Sequence, residues 1–162
     1  MDRADLAVLA RRLLTAFSSA DPESMRTLHA DDMVSYITNR EGGVDRLVGR
    51  EEYLRRIVAM DLPRAQYSVT LTQPPVVVDD RTVLAMVEVK AAKSGGTLHN
   101  FDSHLLQVAN DQVTEWWMVE AKPAESDRFW SCAKTRNLRV PVCQVQDPPS
   151  SCVQVSRVIL GL

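Results

Sequence analysis

Histidine and cysteine are scarce in this chain of 162 residues, three of each, and their placement excludes more than their number does. Cys132, Cys143 and Cys152 all lie in the last 31 residues, 11 and 9 apart, while His29, His99 and His104 lie upstream. Zinc sites need tighter ligand pairs, so no metal is expected. An odd number of widely spaced cysteines argues for free thiols rather than a disulfide framework. No apolar run approaches the roughly 20 residues that span a bilayer. The start, Met1-Asp2-Arg3-Ala4-Asp5, lacks the charged-then-apolar layout of a secretory leader. Nor is charge of one sign in excess: 19 Lys and Arg against 21 Asp and Glu give −2. Without a basic field, neither nucleic acid nor an anionic membrane is an expected partner. No glycine-rich phosphate loop, GxSxG elbow or HExxH is present, so no cofactor is expected. The expectation is a cytoplasmic protein of one domain.

What is present suffices for a packed core, with 45% apolar and 25% charged residues. Charge divides the chain near residue 130. Residues 1–130 hold 15 bases and 20 acids, whereas 131–162 hold Lys134, Arg136, Arg139 and Arg157 against Asp147 alone. The second segment also carries Pro141, Pro148 and Pro149 and keeps no sustained period. The expectation is a folded domain over 1–130 and an irregular C-terminal extension over 131–162, with one short strand at 153–160.

Leu6, Leu9, Leu13 and Phe17 recur at helical spacing and predict an amphipathic first helix over 3–19. Asp21-Pro22-Glu23 is a helix start: a capping carboxylate, a preset φ, and an acid at the positive dipole end. A strand is expected over 33–38, a second over 44–48, and a third helix over 50–60 after Gly49. β-rich stretches follow near 65–72, 75–79, 82–92, 97–109 and 112–121, separated by turn residues. Helices first and an antiparallel meander last make an α+β fold.

The last three strands can be set in register. With a hairpin loop at 93–96, Ala85 lies opposite His104 and Val87 opposite Asp102. With Asn110-Asp111 as the next turn, continued pairing puts Trp117 opposite His104 and Val119 opposite Asp102. One face then presents Val83, Ala85, Val87, Val89, Asp102, His104, Leu106, Trp117 and Val119. The other presents Leu84, Met86, Glu88, Phe101, Leu105, Trp116 and Met118. Both faces are largely apolar, so the helices are expected over one and a second copy of the chain over the other.

The first face places a carboxylate and an imidazole two residues apart among valines and an indole. Asp102 and His104 there are either a buried structural pair or an acid/base couple, since apolar burial favours the neutral carboxyl. Trp117 is either core or a flat wall for a ring substrate. Tyr36 and Tyr53 either pack or bring hydroxyls to the site, with Phe17, Val87, Leu106 and Val119 as apolar lining. His29 and His99 are expected to face solvent. Trp116 is assigned to the face covered by the second copy.

Leu28-His29-Ala30-Asp31-Asp32, Val48-Gly49-Arg50-Glu51-Glu52-Tyr53, and the 102–119 stretch with Thr114-Glu115-Trp116-Trp117 resemble the NTF2-like superfamily. Within it the chain is most similar to the SnoaL-like branch, alongside polyketide cyclases, ketosteroid isomerase and limonene epoxide hydrolase. The resemblance covers roughly residues 4–130. It implies an NTF2-like (cystatin-like) cone: three N-terminal helices on a strongly curved, mostly antiparallel sheet around a deep apolar pocket, usually in a homodimer. Matched position by position, the isomerase's oxyanion tyrosine falls at Leu13 and its base at Ile37, neither able to do that work. Its third acid falls at Asp102. The epoxide hydrolase pattern needs an arginine, which the inferred face lacks. SnoaL-type cyclases use one acid on a pocket-facing strand, and the resemblance implies that role for Asp102, with His104 assisting. The resulting expectation is a protein that binds a small hydrophobic, cyclic molecule, with or without cofactor-free isomerisation, cyclisation or dehydration. A non-catalytic binding or dimerisation module is the alternative.

Overall fold

Asp21 accepts hydrogen bonds from the backbone N–H groups of Glu23 and Ser24, both at 3.1 Å, and so starts the second helix where Pro22 predicts it. The computed structural model describes residues 3–131. The expected strand at 153–160 and all three cysteines lie outside them. The order is α1 (Arg3–Ser18), α2 (Pro22–Leu28), β1 (His29–Thr38), β2 (Val44–Val48), α3 (Arg50–Ala59) and β3 (Ser68–Leu71). There follow β4 (Val76–Val77), β5 (Thr82–Lys93), β6 (Gly96–Ala109), β7 (Gln112–Glu120) and α4 (Pro123–Ser131).

The strands form one curved, unclosed sheet in the order β2-β1-β7-β6-β5-β3, with β4 pairing on β5. All pairs are antiparallel except β1 with β7, so the sheet is mixed and mostly antiparallel. The apolar stripe of α1, including Leu6, Leu9, Leu13 and Phe17, is buried in the core against the inner face. From α3, Tyr53, Leu54 and Ile57 enter the same core. α4 was not among the expected elements. Pro123 opens it and Ser126 and Phe129, one turn apart, are its buried residues. Ser131, assigned to the extension, is the last residue of this helix.

The β5–β6 pairing is as the turn at 93–96 predicts, with Ala85 opposite His104 and Val87 opposite Asp102. The β6–β7 pairing is not. It begins as expected with Ala109 opposite Gln112, but Val108 pairs with Val113 while Gln107 pairs with Glu115. Thr114 is thus an extra residue, a β-bulge whose hydroxyl bonds back to the Gln107 carbonyl at 3.3 Å. Past it His104 faces Met118 and Asp102 faces Glu120. Because side chains alternate, this slip moves Trp116, Met118 and Glu120 to the inner face and Trp117 and Val119 to the outer one.

Candidate functional site

On β6 every second residue from Leu98 to Val108 is buried, and three of these are polar: Asn100, Asp102 and His104. Alternation puts all three on the inner face. Asp102 is 6% exposed and His104 is 4% exposed, with His104 Nε2 4.0 Å from Asp102 Oδ2. That separation is the outer limit of an ion pair and too long for a hydrogen bond. Among the described residues, Oδ1 of Asp102 and both ring nitrogens of His104 have no hydrogen-bond partner. Asn100 accepts from the N–H groups of Phe101 and Lys122, both at 3.0 Å, leaving its Nδ2 unpaired. Val83, Ala85, Val87 and Leu106 wall the strip with apolar surface.

Opposite Asp102, Glu120 brings a second carboxyl to the inner face. Burial pushes it up to about 7; the Asp102 charge adds to this, while the Ser126 hydrogen bond and Arg56 oppose it. The Ser126 hydroxyl of α4 donates to Glu120 Oε1 at 2.5 Å. Tyr67 lies in the same surroundings, its phenol held well above the usual range by burial and by the charges of Asp102 and Glu120.

Beyond His104 the interior becomes aromatic. Trp116, 1% exposed, is the centre: its ring lies 5.3 Å from His104, 5.2 Å from Phe17, 5.4 Å from Tyr53 and 5.5 Å from His29. Trp116 is therefore not on the outer face to which the regular register assigned it. His29 is also corrected: it is fully buried, stacked on Trp116, with Nδ1 2.6 Å from the Met25 carbonyl. Burial lowers its imidazole to about 4, against the hydrogen bond to Met25 and with the Arg50 charge adding to the fall. His99 is exposed, as expected, and lies 2.8 Å from Glu88.

The structure divides the sequence-derived lining. Phe17, Tyr53, Val87 and Leu106 are buried with Asp102 and His104 in the interior. Tyr36, Trp117 and Val119 are not. Tyr36 and Trp117 are sheet neighbours, stacked at 4.0 Å on the outer face, with Trp117 Nε1 donating to Glu115 at 2.6 Å. Val119 is exposed there. Glu115 pairs with Gln107. Sequence reasoning missed Asn100, Glu120, His29 and Trp116. Only for Asn100 was a signal at hand, since it continues the alternation of Asp102 and His104.

A groove of about 360 Å³ between α1 and α2 is lined by Val8, Arg11, Arg12 and Asp21 among others. It shares no residue with the inner-face strip. Among the described residues, no three His, Cys, Asp or Glu side chains gather in a way that could hold a metal ion. No described helix is long and apolar enough to cross a membrane.

The fold is shared with solved structures of low sequence identity. Bal32a, from a soil-derived mobile gene cassette, is 19% identical and superposes with a TM-score of 0.69, covering 78% of this chain and 97% of that one. PrhC from Penicillium brasilianum is 19% identical with a TM-score of 0.69, over 82% of this chain and 93% of its own. An LEH-like epoxide hydrolase from M. tuberculosis is 15% identical with a TM-score of 0.63, over 80% and 94%. At such identities the likeness is one of fold. No curated protein sequence matches the chain. The sequence profile of the SnoaL-like domain matches residues 10–123, which span the stretches 28–32 and 48–53 and the strip on β6. With an α+β cone of the cystatin-like kind and that match over most of its length, the chain belongs to the SnoaL-like family.

Proposed function

We propose that the inner face of the sheet binds a small, largely apolar cyclic molecule and that Asp102 exchanges a proton with it. The observation that carries this reading is the pair itself: a carboxylate and an imidazole, both buried, side by side, with Oδ1, Nδ1 and Nε2 unsatisfied. Buried polar atoms are nearly always paired, and clusters of exceptions mark sites that take up another molecule. Val87, Leu106, Phe17 and Trp116 supply apolar walls. Asp102 would take a proton from carbon beside a carbonyl, leaving the electron pair as an enolate. An N–H of His104 would then donate to the enolate oxygen. Glu120, held near neutrality opposite Asp102, is placed to relay the proton. Isomerisation, cyclisation and dehydration all use this step without a cofactor.

The test is deuterium uptake from heavy water into β-tetralone, a bicyclic ketone with acidic C–H bonds beside its carbonyl. Exchange above the buffer rate that is lost in Asp102→Asn supports proton transfer. Binding without exchange would leave a non-catalytic ligand carrier, the second reading.

The outer face supports a homodimer. Phe101 is 48% exposed there, with Met86 and Val119 also exposed and the Tyr36–Trp117 stack beside them. An apolar surface of this kind on a sheet is what a self-complementary interface buries.

A further inference from the structure

His29 is fully buried and takes no part in the chemistry assigned to Asp102, yet its ring and that of His104 pack on the same indole. A carbonyl oxygen only accepts, so the 2.6 Å contact with the Met25 carbonyl requires the proton on His29 Nδ1. Burial keeps the imidazole neutral near pH 7. Nε2 is therefore a bare acceptor, and it has no partner among the described residues. The same is true of the Tyr53 hydroxyl and of Trp116 Nε1, which can only donate. Tyr53 lies 5.2 Å from His29 and 5.4 Å from Trp116, ring to ring, so the three rings that carry these atoms pack together.

We propose that His29, Tyr53 and Trp116 form a second polar end to the binding interior, built to receive a hydroxyl group of the bound molecule. This rests on the reading that the inner face binds a cyclic ligand, and it narrows the ligand class to hydroxylated rings, phenols above all. A hydroxyl donates a hydrogen bond to His29 Nε2 and accepts one from Trp116 Nε1 or the Tyr53 hydroxyl. A ketone or ether offers Nε2 no proton. A carboxylate sets oxygen lone pairs against the Nε2 lone pair. An ammonium has no lone pair for the indole N–H. A group that both donates and accepts pairs His29 Nε2 and Trp116 Nε1 at once, and leaving buried partners unpaired is what makes such sites selective.

The experiment compares β-tetralone with its phenolic analogue, hydroxylated on the ring remote from the ketone, on the full chain. The imidazole nitrogen resonances of His29 and His104 are followed by NMR as each compound is added. The phenol is expected to bind at least about tenfold more tightly, the worth of one good hydrogen bond. It is expected to move both histidines, while the unsubstituted ketone moves His104 alone. His29→Phe keeps a ring against Trp116 and is expected to level the two affinities. Equal affinity in the wild-type chain, with His104 responding and His29 silent, overturns the hydroxyl site and leaves the binding reading intact. That outcome means the cluster is satisfied by internal water only. If neither compound moves His104, the binding reading falls and the hydroxyl site falls with it. Both arms use the wild-type chain, so they stand even if His29→Phe does not fold.

Discussion

Asp102 and His104 stand side by side on β6 with Oδ2 and Nε2 4.0 Å apart, adjacent without satisfying each other. A pair kept only for structure gains most by closing that distance to a hydrogen bond. An acid/base couple needs those atoms open to a third group. Asp102→Asn preserves shape and removes the base, so exchange into β-tetralone should fall by about a hundredfold or more. Thermal unfolding of the variant should change little, because no hydrogen bond to Asp102 Oδ1 is lost.

The two neighbouring tryptophans make opposite predictions. Trp116 sits amid four rings in the core, and Trp116→Ala should cost about 3–5 kcal/mol in denaturant unfolding. Trp117 stacks on Tyr36 at the outer face, and Trp117→Ala should cost about 1 kcal/mol, the scale of one half-buried aromatic pair. The reverse order would restore the regular β6–β7 register.

That register shows what the sequence could and could not convey. The β5–β6 hairpin turns at Ser94-Gly95, and once that turn is placed every cross-strand pair from Lys93 to Thr82 follows by counting. Asp102 and His104 were therefore legible as inner-face residues. The bulge at Thr114 has no marker: threonine is an ordinary strand residue, and Thr114-Glu115-Trp116-Trp117 alternates equally well either way. One inserted residue exchanged the tryptophans, removed Val119 from the lining and hid Glu120. His29 was misread for a different reason. It follows a helix end, where polar residues commonly face water, but the Met25 carbonyl one turn back accepts a hydrogen bond from its Nδ1 and the ring lies inside. α4 was overlooked although Pro123 marks its first turn.

Buried His29 and half-buried Glu120 give stability a pH dependence of opposite sign. His29 falls from 6.5 unfolded to about 4 folded, so the unfolded chain binds the extra proton between these values. Its contribution is complete above pH 6.5 and is lost as pH falls to about 4. Glu120 rises from 4.5 to about 7, so its contribution is complete below pH 4.5 and is lost as pH rises through 7. The two slopes oppose each other between 4.5 and 6.5. Urea unfolding at a series of pH values should show Glu120→Gln flattening the alkaline decline and His29→Phe flattening the acid one. A Glu120→Gln variant with the wild-type alkaline decline would contradict the burial of that carboxyl.

The outer sheet face makes a prediction about assembly. Phe101→Lys removes an exposed ring from the outer face, adds a charge there and should shift sedimentation velocity from dimer to monomer. The same substitution should leave β-tetralone exchange per folded chain unchanged, because Phe101 points away from Asp102. A wild-type chain that sediments as a monomer would refute the homodimer.

The most direct test of the central claim is an NMR proton titration of His104 and Asp102, repeated with β-tetralone present. The account predicts that the ligand moves the titration of both groups together, because it enters between atoms that the fold leaves unpaired. Titration curves that superpose with and without ligand, with the phenolic analogue equally silent, would contradict it and make the pair a structural feature of the core.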